Sequence, residues 1–209
     1  MSVLNRIAFF QDRRDEVPNQ ELARELAAAR DAAGIREIAE NLWQRDSNIR
    51  SDCLKVLYEI GYLAPDLIAD YVTDFLRLLG DKNNRMVWGG MIALATIGQI
   101  KAQEIAEHFD DITRVMAAGS VITVDAGVGA LALAASTGDE RRAKFLPYLL
   151  HHLAVCRPGD VPRHAEKTLV AVDGKARQEF IEVLDGRMAG LSDAQRARVR
   201  KIMREAVYG

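Results

Sequence analysis

The sequence predicts an all-α protein built as a solenoid of helical pairs, and three observations carry that prediction. A phrase occurs twice, 35 residues apart: Asp46-Ser47-Asn48-Ile49-Arg50 leads through an apolar helix to Ile60-Gly61, and Asp81-Lys82-Asn83-Asn84-Arg85 leads through another to Ile97-Gly98. Self-similarity at that period marks units that bury a continuous core only by stacking on their neighbours. Aromatic residues make up 6 % of the 209-residue chain and prolines number five, while Ala, Leu, Arg and Glu recur throughout, a composition that favours helices. Apolar positions recur at i, i+3, i+4 and i+7, the helical period.

Read in order, two segments precede the array. One helix near Val3–Gln11 places Val3, Leu4, Ile7 and Phe10 on one stripe, and a second lies near Asn19–Ala32. The first pair joins Ile35–Gln44 to Ile49–Ile60, and Gly61 with Pro65 is read as its stop. The second joins Asp66–Leu79 to Asn84–Ile97 across a Gly80-Asp81-Lys82-Asn83 turn. In the third, Ala102–Ala118 precedes Val121–Ser136, with Gly119 and Gly138 as punctuation. Helices over Arg141–Val155 and Pro162–Val172 follow, split by Arg157-Pro158-Gly159-Asp160. A last pair spans Lys175–Met188 and Asp193–Val207, opened by Ser192 or Asp193 as N-cap. No linker divides the chain, so residues 1–34 are read as an extension and 35–209 as one solenoid of about five pairs.

The residues Asp46/Arg50, Asp81/Arg85 and, more weakly, Asp160/Arg163 give the chain a resemblance to the HEAT-repeat family over about residues 35–175. The resemblance implies a right-handed α-α superhelix. It also implies that an Asp in the turn of one repeat bonds an Arg at the start of a second helix in the neighbouring repeat, as a ladder. Gly119 and Thr123 stand where the third unit would carry Asp and Arg, so the ladder is expected to break there. Second helices, on this resemblance, line the concave side.

Those second helices are unusual. Met86 to Ile100 and Ala126 to Gly138 contain no charged residue, whereas the equivalent helix of the first unit carries Asp52, Lys55 and Glu59. An all-round apolar helix is normally buried all round. Gly89, Gly90, Gly127 and Gly129 fall in helix interiors, where each costs roughly 0.5–1 kcal/mol relative to Ala. Close approach of another backbone would offset that. The expected partner-binding face therefore comprises Met86, Gly89, Gly90, Ile92, Thr96, Gly127 and Gly129. Its expected occupant is a partner helix or peptide, a second copy of the chain, or the N-terminal helix. The competing reading is that the glycines only relieve crowding between adjacent repeats.

Candidate chemistry is sparse. Gly127-Val128-Gly129-Ala130-Leu131-Ala132 matches a loose dinucleotide-binding fingerprint, but that fingerprint needs a strand before it, and its neighbours read as helices. His152 and Cys156 stand at i, i+4, yet two ligands leave a zinc site half built. No metal, cofactor or catalytic residue is therefore expected, and the chain is read as non-enzymatic. Cys53 and Cys156 read as small buried hydrophobes in a reducing compartment. Trp43 and Trp88 read as core, although HEAT-like DNA glycosylases use aromatics in a basic groove.

The formal net charge of -2 hides a gradient: 13 Lys/Arg against 18 Asp/Glu in residues 1–110, and 15 against 12 in residues 111–209. Arg196, Arg200 and Arg204 form a basic stripe at i, i+4, i+8 that could meet an acidic partner. The uncharged groove makes nucleic acid the lesser alternative, because phosphate binding needs cations; salt-dependent retention on heparin separates the two readings. No stretch reaches the ~20 apolar residues of a membrane span and no signal peptide is visible, which points to a soluble, cytoplasmic, protein-binding scaffold.

Overall fold

The computed structural model describes residues 2–208, and every regular element among them is helical. They pack as two units, the first ending at Gly127 and the second beginning at Val128. The first holds α1 (Val17–Ala29), α2 (Ala32–Glu40), α3 (Ser47–Leu63), α4 (Val72–Leu78), α5 (Asn84–Thr96), α6 (Ala102–Glu107) and α7 (Phe109–Ala118). α8 (Val121–Ala135) begins in the first unit and ends in the second. The second unit continues with α9 (Asp139–Val155), α10 (Val161–Leu169), α11 (Arg177–Arg187) and α12 (Asp193–Tyr208).

The repeated polar phrase is a capping phrase. Asp46 accepts from the Asn48 and Ile49 N–H groups at 2.7 and 3.4 Å, and Asn83 accepts from Arg85 N–H at 2.9 Å. Asp31 opens α2 in the same way through Gly34 N–H at 3.0 Å. Each cap satisfies orphan donors at a helix start and contributes about 1 kcal/mol.

In the first unit α3 is central, packing against α1, α2 and α5, while α5 also packs on α4. The seam is apolar: Leu54, Leu57 and Ile60 of α3 are buried, as are Met86, Met91 and Leu94 of α5. Four sequence expectations are corrected here, the first being Asp66–Leu79, which is not one helix but 3-10 turns at Pro65–Leu67 and Ala69–Tyr71 followed by α4. Gly61 does not stop α3, which runs on to Leu63. A Cβ at Gly61 would lie 2.1 Å from Thr96 Oγ1 and 2.8 Å from Ile68 Cδ1, so the glycine marks a crossing of α3 with α5. The stretch Ala102–Ala118 is two helices, broken at His108 (φ −106°, ψ 20°). Val3–Gln11 forms two 3-10 turns, Leu4–Arg6 and Ala8–Gln11, separated by extended Ile7.

That N-terminal strap is tied to its own unit. Glu37 accepts from Val3 N–H at 3.0 Å, Asp52 accepts from Phe9 N–H at 2.8 Å and from Asn19 Nδ2 at 2.9 Å, and Asn19 accepts from Ala8 N–H at 2.9 Å. Ile7 is buried while Phe10 is exposed, so the expected single stripe is split.

In the second unit Phe145, Leu149 and Leu153 of α9, Phe180 and Leu184 of α11, and Val199 and Ile202 of α12 form the core. Arg187 of α11 donates to the carbonyls of Leu153 (2.6 Å) and Cys156, fixing the C-terminus of α9. Gly186, exposed in α11, has nothing within 4 Å of an added Cβ. Gly186→Ala is therefore expected to raise stability by about 0.5–1 kcal/mol through helix propensity alone; a calorimetric melt below wild type would contradict this.

Candidate functional site

Among the described residues, Arg50 and Asp81 form a rung of the ladder. Arg50 donates from Nη2 to Asp81 of the next pair and from Nε to the Leu42 carbonyl at 2.8 Å, and both ends of the ion pair are mostly buried. Burial would push the Asp81 carboxyl up, but the Arg50 guanidinium and the Asn83 N–H outweigh it, so the group sits below its ordinary value. Asp46 spends its carboxylate on the α3 cap. Asp160 bonds Arg157 (2.8 Å) and Arg163 (3.3 Å) inside its own turn. Arg85 is exposed and makes no ion pair among the described residues. Thr123 is buried and shares a 3.0 Å hydrogen bond with Ser120.

The expected binding face resolves differently, residue by residue. Met86 is fully buried, and Gly89, Gly90, Gly127 and Gly129 are buried too. An added Cβ would meet Leu54 Cδ2 at 2.5 Å from Gly89, Leu78 Cβ at 3.0 Å from Gly90, and Met116 Sδ at 2.5 Å from Gly127. Close packing inside the chain thus accounts for these three glycines. Thr96 lies over Gly61, and Ile92 is half-buried. The Gly127–Ala132 stretch lies inside α8, with no strand before it.

What this face does present is aromatic. Tyr58, Tyr62 and Trp88 form a strip across α3 and α5, with ring centroids 6.3 Å apart at each step, and Tyr62 is 63 % exposed. Lys55 sits over Tyr58 at 4.9 Å and bonds Glu16 (2.8 Å) and Glu59 (2.7 Å). Burial alone would lower the Lys55 ammonium, but these two carboxylates hold it above its usual value. Burial pushes the Tyr58 hydroxyl up to about 12. The strap residues Arg13 to Glu16 come alongside, closing a cleft with Asp52, Lys55, Arg85 and Trp88. Trp88 is half-buried. Trp43 is 39 % exposed, with Arg77 stacked 4.1 Å from its ring and its indole N–H donating to Asp74 at 3.1 Å, so neither tryptophan is core.

The basic stripe is thinner than its sequence suggests. Arg196 is engaged by Asp193 and the Leu191 carbonyl, while Arg200 and Arg204 are exposed and free of ion pairs among the described residues. A groove of about 330 Å³ lies between α9 and the start of α11, floored by Leu146, Pro147, Leu150 and Ala176.

Cys53 is buried, and burial pushes its thiol up to about 12, which removes it as a nucleophile. Cys156 is half-exposed, and it is not alone. His164 of α10, buried in the second unit, reaches His152 of α9 with Nδ1 3.0 Å from Nε2, and Cys156 Sγ completes a cluster whose three donor atoms lie within 4.8 Å of one another. Burial lowers the His152 imidazole and raises the Cys156 thiol. Spacing alone singles out His152 and Cys156 as a pair and misses His164, which lies on the buried face of α10 with Val161, Ala165 and Thr168.

No known protein family matches the chain, and no curated protein matches it in sequence. Solved structures do. An engineered protein of the Northeast Structural Genomics Consortium is similar over 99 % of this chain and 97 % of its own, with a TM-score of 0.66 and 18 % identity. A designed armadillo repeat protein is similar over 92 % and 94 %, with a TM-score of 0.66 and 13 % identity. Another, in complex with the peptide (KR)4, is similar over 90 % and 85 %, with a TM-score of 0.67 and 15 % identity. At these identities the likeness defines the fold, an all-α, armadillo-like helical-repeat solenoid.

Proposed function

We propose that this chain is a non-enzymatic interaction module of the HEAT-like kind that holds a peptide or helix against the face formed by α3 and α5. The observation that carries the reading is the strip of Tyr62, Tyr58 and Trp88, open to solvent at Tyr62. Aromatic residues bury large area at low entropy and dominate interface energetics. Similarity to a designed repeat protein in complex with a peptide supports the same reading. The anchors are exposed Tyr62 with half-buried Trp88 and Ile92, backed by buried Tyr58, while the glycines set the helix spacing beneath them. The two free cysteines fit a reducing, cytoplasmic setting. The homodimer is the nearest variant.

The test is selection of binding peptides from a displayed random library on the wild-type protein, followed by titration against variants. Tyr62→Ala is expected to weaken the selected peptides about 30-fold, a hot-spot loss near 2 kcal/mol, with an unchanged melting temperature. Peptides that bind wild type, Tyr62→Ala and Trp88→Ala equally would remove the face from consideration. A dimer that Tyr62→Ala returns to monomer would select the homodimer variant.

A further inference from the structure

We propose that His152, Cys156 and His164 form a three-ligand site for one zinc(II) ion, with the fourth coordination position open to water or an outside ligand. The site lies wholly in the second unit and is independent of the interaction face.

The donor set decides the class of metal. Two imidazoles and a thiolate suit zinc and its neighbours in softness, while magnesium and calcium require oxygen donors. Local geometry brings the donors together from two directions. His152 and Cys156 lie one helical turn apart at the end of α9, and the Cys156 N–H closes that turn on the His152 carbonyl at 2.8 Å. The Arg157–Asp160 turn then reverses the chain, so the fourth residue of α10, His164, faces back onto His152. A tetrahedral zinc needs about 3.3 Å between nitrogens and about 3.6 Å between nitrogen and sulfur, given bonds near 2.0 and 2.3 Å. The imidazole nitrogens are 3.0 Å apart, within hydrogen-bond distance of each other. They need to part by a few tenths of an ångström, and Sγ, within 4.8 Å of both, needs to close by about 1 Å through rotation of its side chain.

The surroundings hold this arrangement in place. Tyr148 stacks on His152, with centroids 6.5 Å apart and planes at 17°. Arg187 fixes the carbonyl of Cys156, and His164 is 1 % exposed. His152 and Cys156 are half-exposed, which gives the ion a route in and leaves the fourth position facing solvent. Bound zinc would pin the end of α9 to α10.

The experiment uses the full chain stripped with a chelator and titrated with cobalt(II) as a spectroscopic probe, then with zinc. One equivalent of cobalt should give tetrahedral ligand-field absorption and a thiolate charge-transfer band. Zinc held 100-fold above its Kd should raise the melting temperature by about 5–10 °C. Cys156→Ser should lose the charge-transfer band, and His152→Gln should lose one-to-one binding. His151→Ala, at the exposed neighbouring histidine, should change neither. His164→Gln extends the test if it folds; the first two variants suffice if it does not. Absence of one-to-one binding, or binding of equal strength in wild type, Cys156→Ser and His152→Gln, would overturn the site.

Discussion

Asp81→Ala is expected to destabilise the protein by about 3 kcal/mol, the loss that follows when one partner of a mostly buried ion pair is removed and the other is left behind. Arg50 and Asp81 are 17 % and 16 % exposed at their side chains, so the orphaned guanidinium has little water to turn to. The same substitution strips the Asn83 N–H of its 2.8 Å acceptor in the turn before α5. In a chain of this length the melting temperature should fall by roughly 10 °C. The pH dependence has a definite sign. The folded carboxyl is held below its ordinary value of 3.8, so its contribution is fully present above about pH 4 and is lost as pH falls through the lower folded value. Wild type and Asp81→Ala should therefore converge in stability on acidification. A pair of denaturant melts at pH 7 showing a difference below about 0.5 kcal/mol would mean the rung contributes no more than an exposed surface pair.

Gly61→Ala sets two magnitudes against each other. Helix propensity favours the alanine by about 1 kcal/mol. Against it stands a methyl built 2.1 Å from Thr96 Oγ1 and 2.8 Å from both Thr96 Cβ and Ile68 Cδ1. Thr96 is itself pinned, its hydroxyl donating to the Ala93 carbonyl at 2.7 Å, so it cannot yield without breaking that bond. Overpacking should win, with a net loss of about 1–3 kcal/mol. Adding Thr96→Ala removes the 2.1 Å contact and leaves both 2.8 Å contacts, because alanine keeps the Cβ, so the double variant should recover part of the loss. A single variant as stable as wild type would show that α3 and α5 separate easily at this point.

Gly61 also shows why the sequence was legible in part. Helical period and the repeated Asp/Asn turns located the pairs, because both signals are local and each cap bonds within three residues. A glycine at the end of an apolar run has two physical meanings, a chain stop or a close approach, and only the neighbour in space separates them. The same limit explains the N-terminal strap. Val3, Leu4, Ile7 and Phe10 have helical spacing, yet the backbone is set by carboxylates of Glu37 and Asp52, 34 and 43 residues away from their amides. The aromatic strip was hidden because its exposure depends on what α3 and α5 leave uncovered. His164 lies 12 residues from His152, beyond any spacing rule for one helix; a histidine on the apolar face of α10 was the available signal. The Arg50–Asp81 rung was readable in the sequence, since it rests on residue identity at matching repeat positions.

The Arg50–Asp81 rung makes the array ordered, not interchangeable. Arg50 requires an aspartate at the equivalent turn of the pair that follows it, and the turn at Asp81 supplies it. If the second pair were excised in register, Arg50 would meet the turn at Gly119 and Ser120, which carries no carboxylate. Shuffling or deleting a unit, the operation by which repeat proteins grow and shrink, would leave a cation stranded at the new junction. The Arg50–Asp81 pair thus adds a penalty to losing the second unit beyond the core that would go with it.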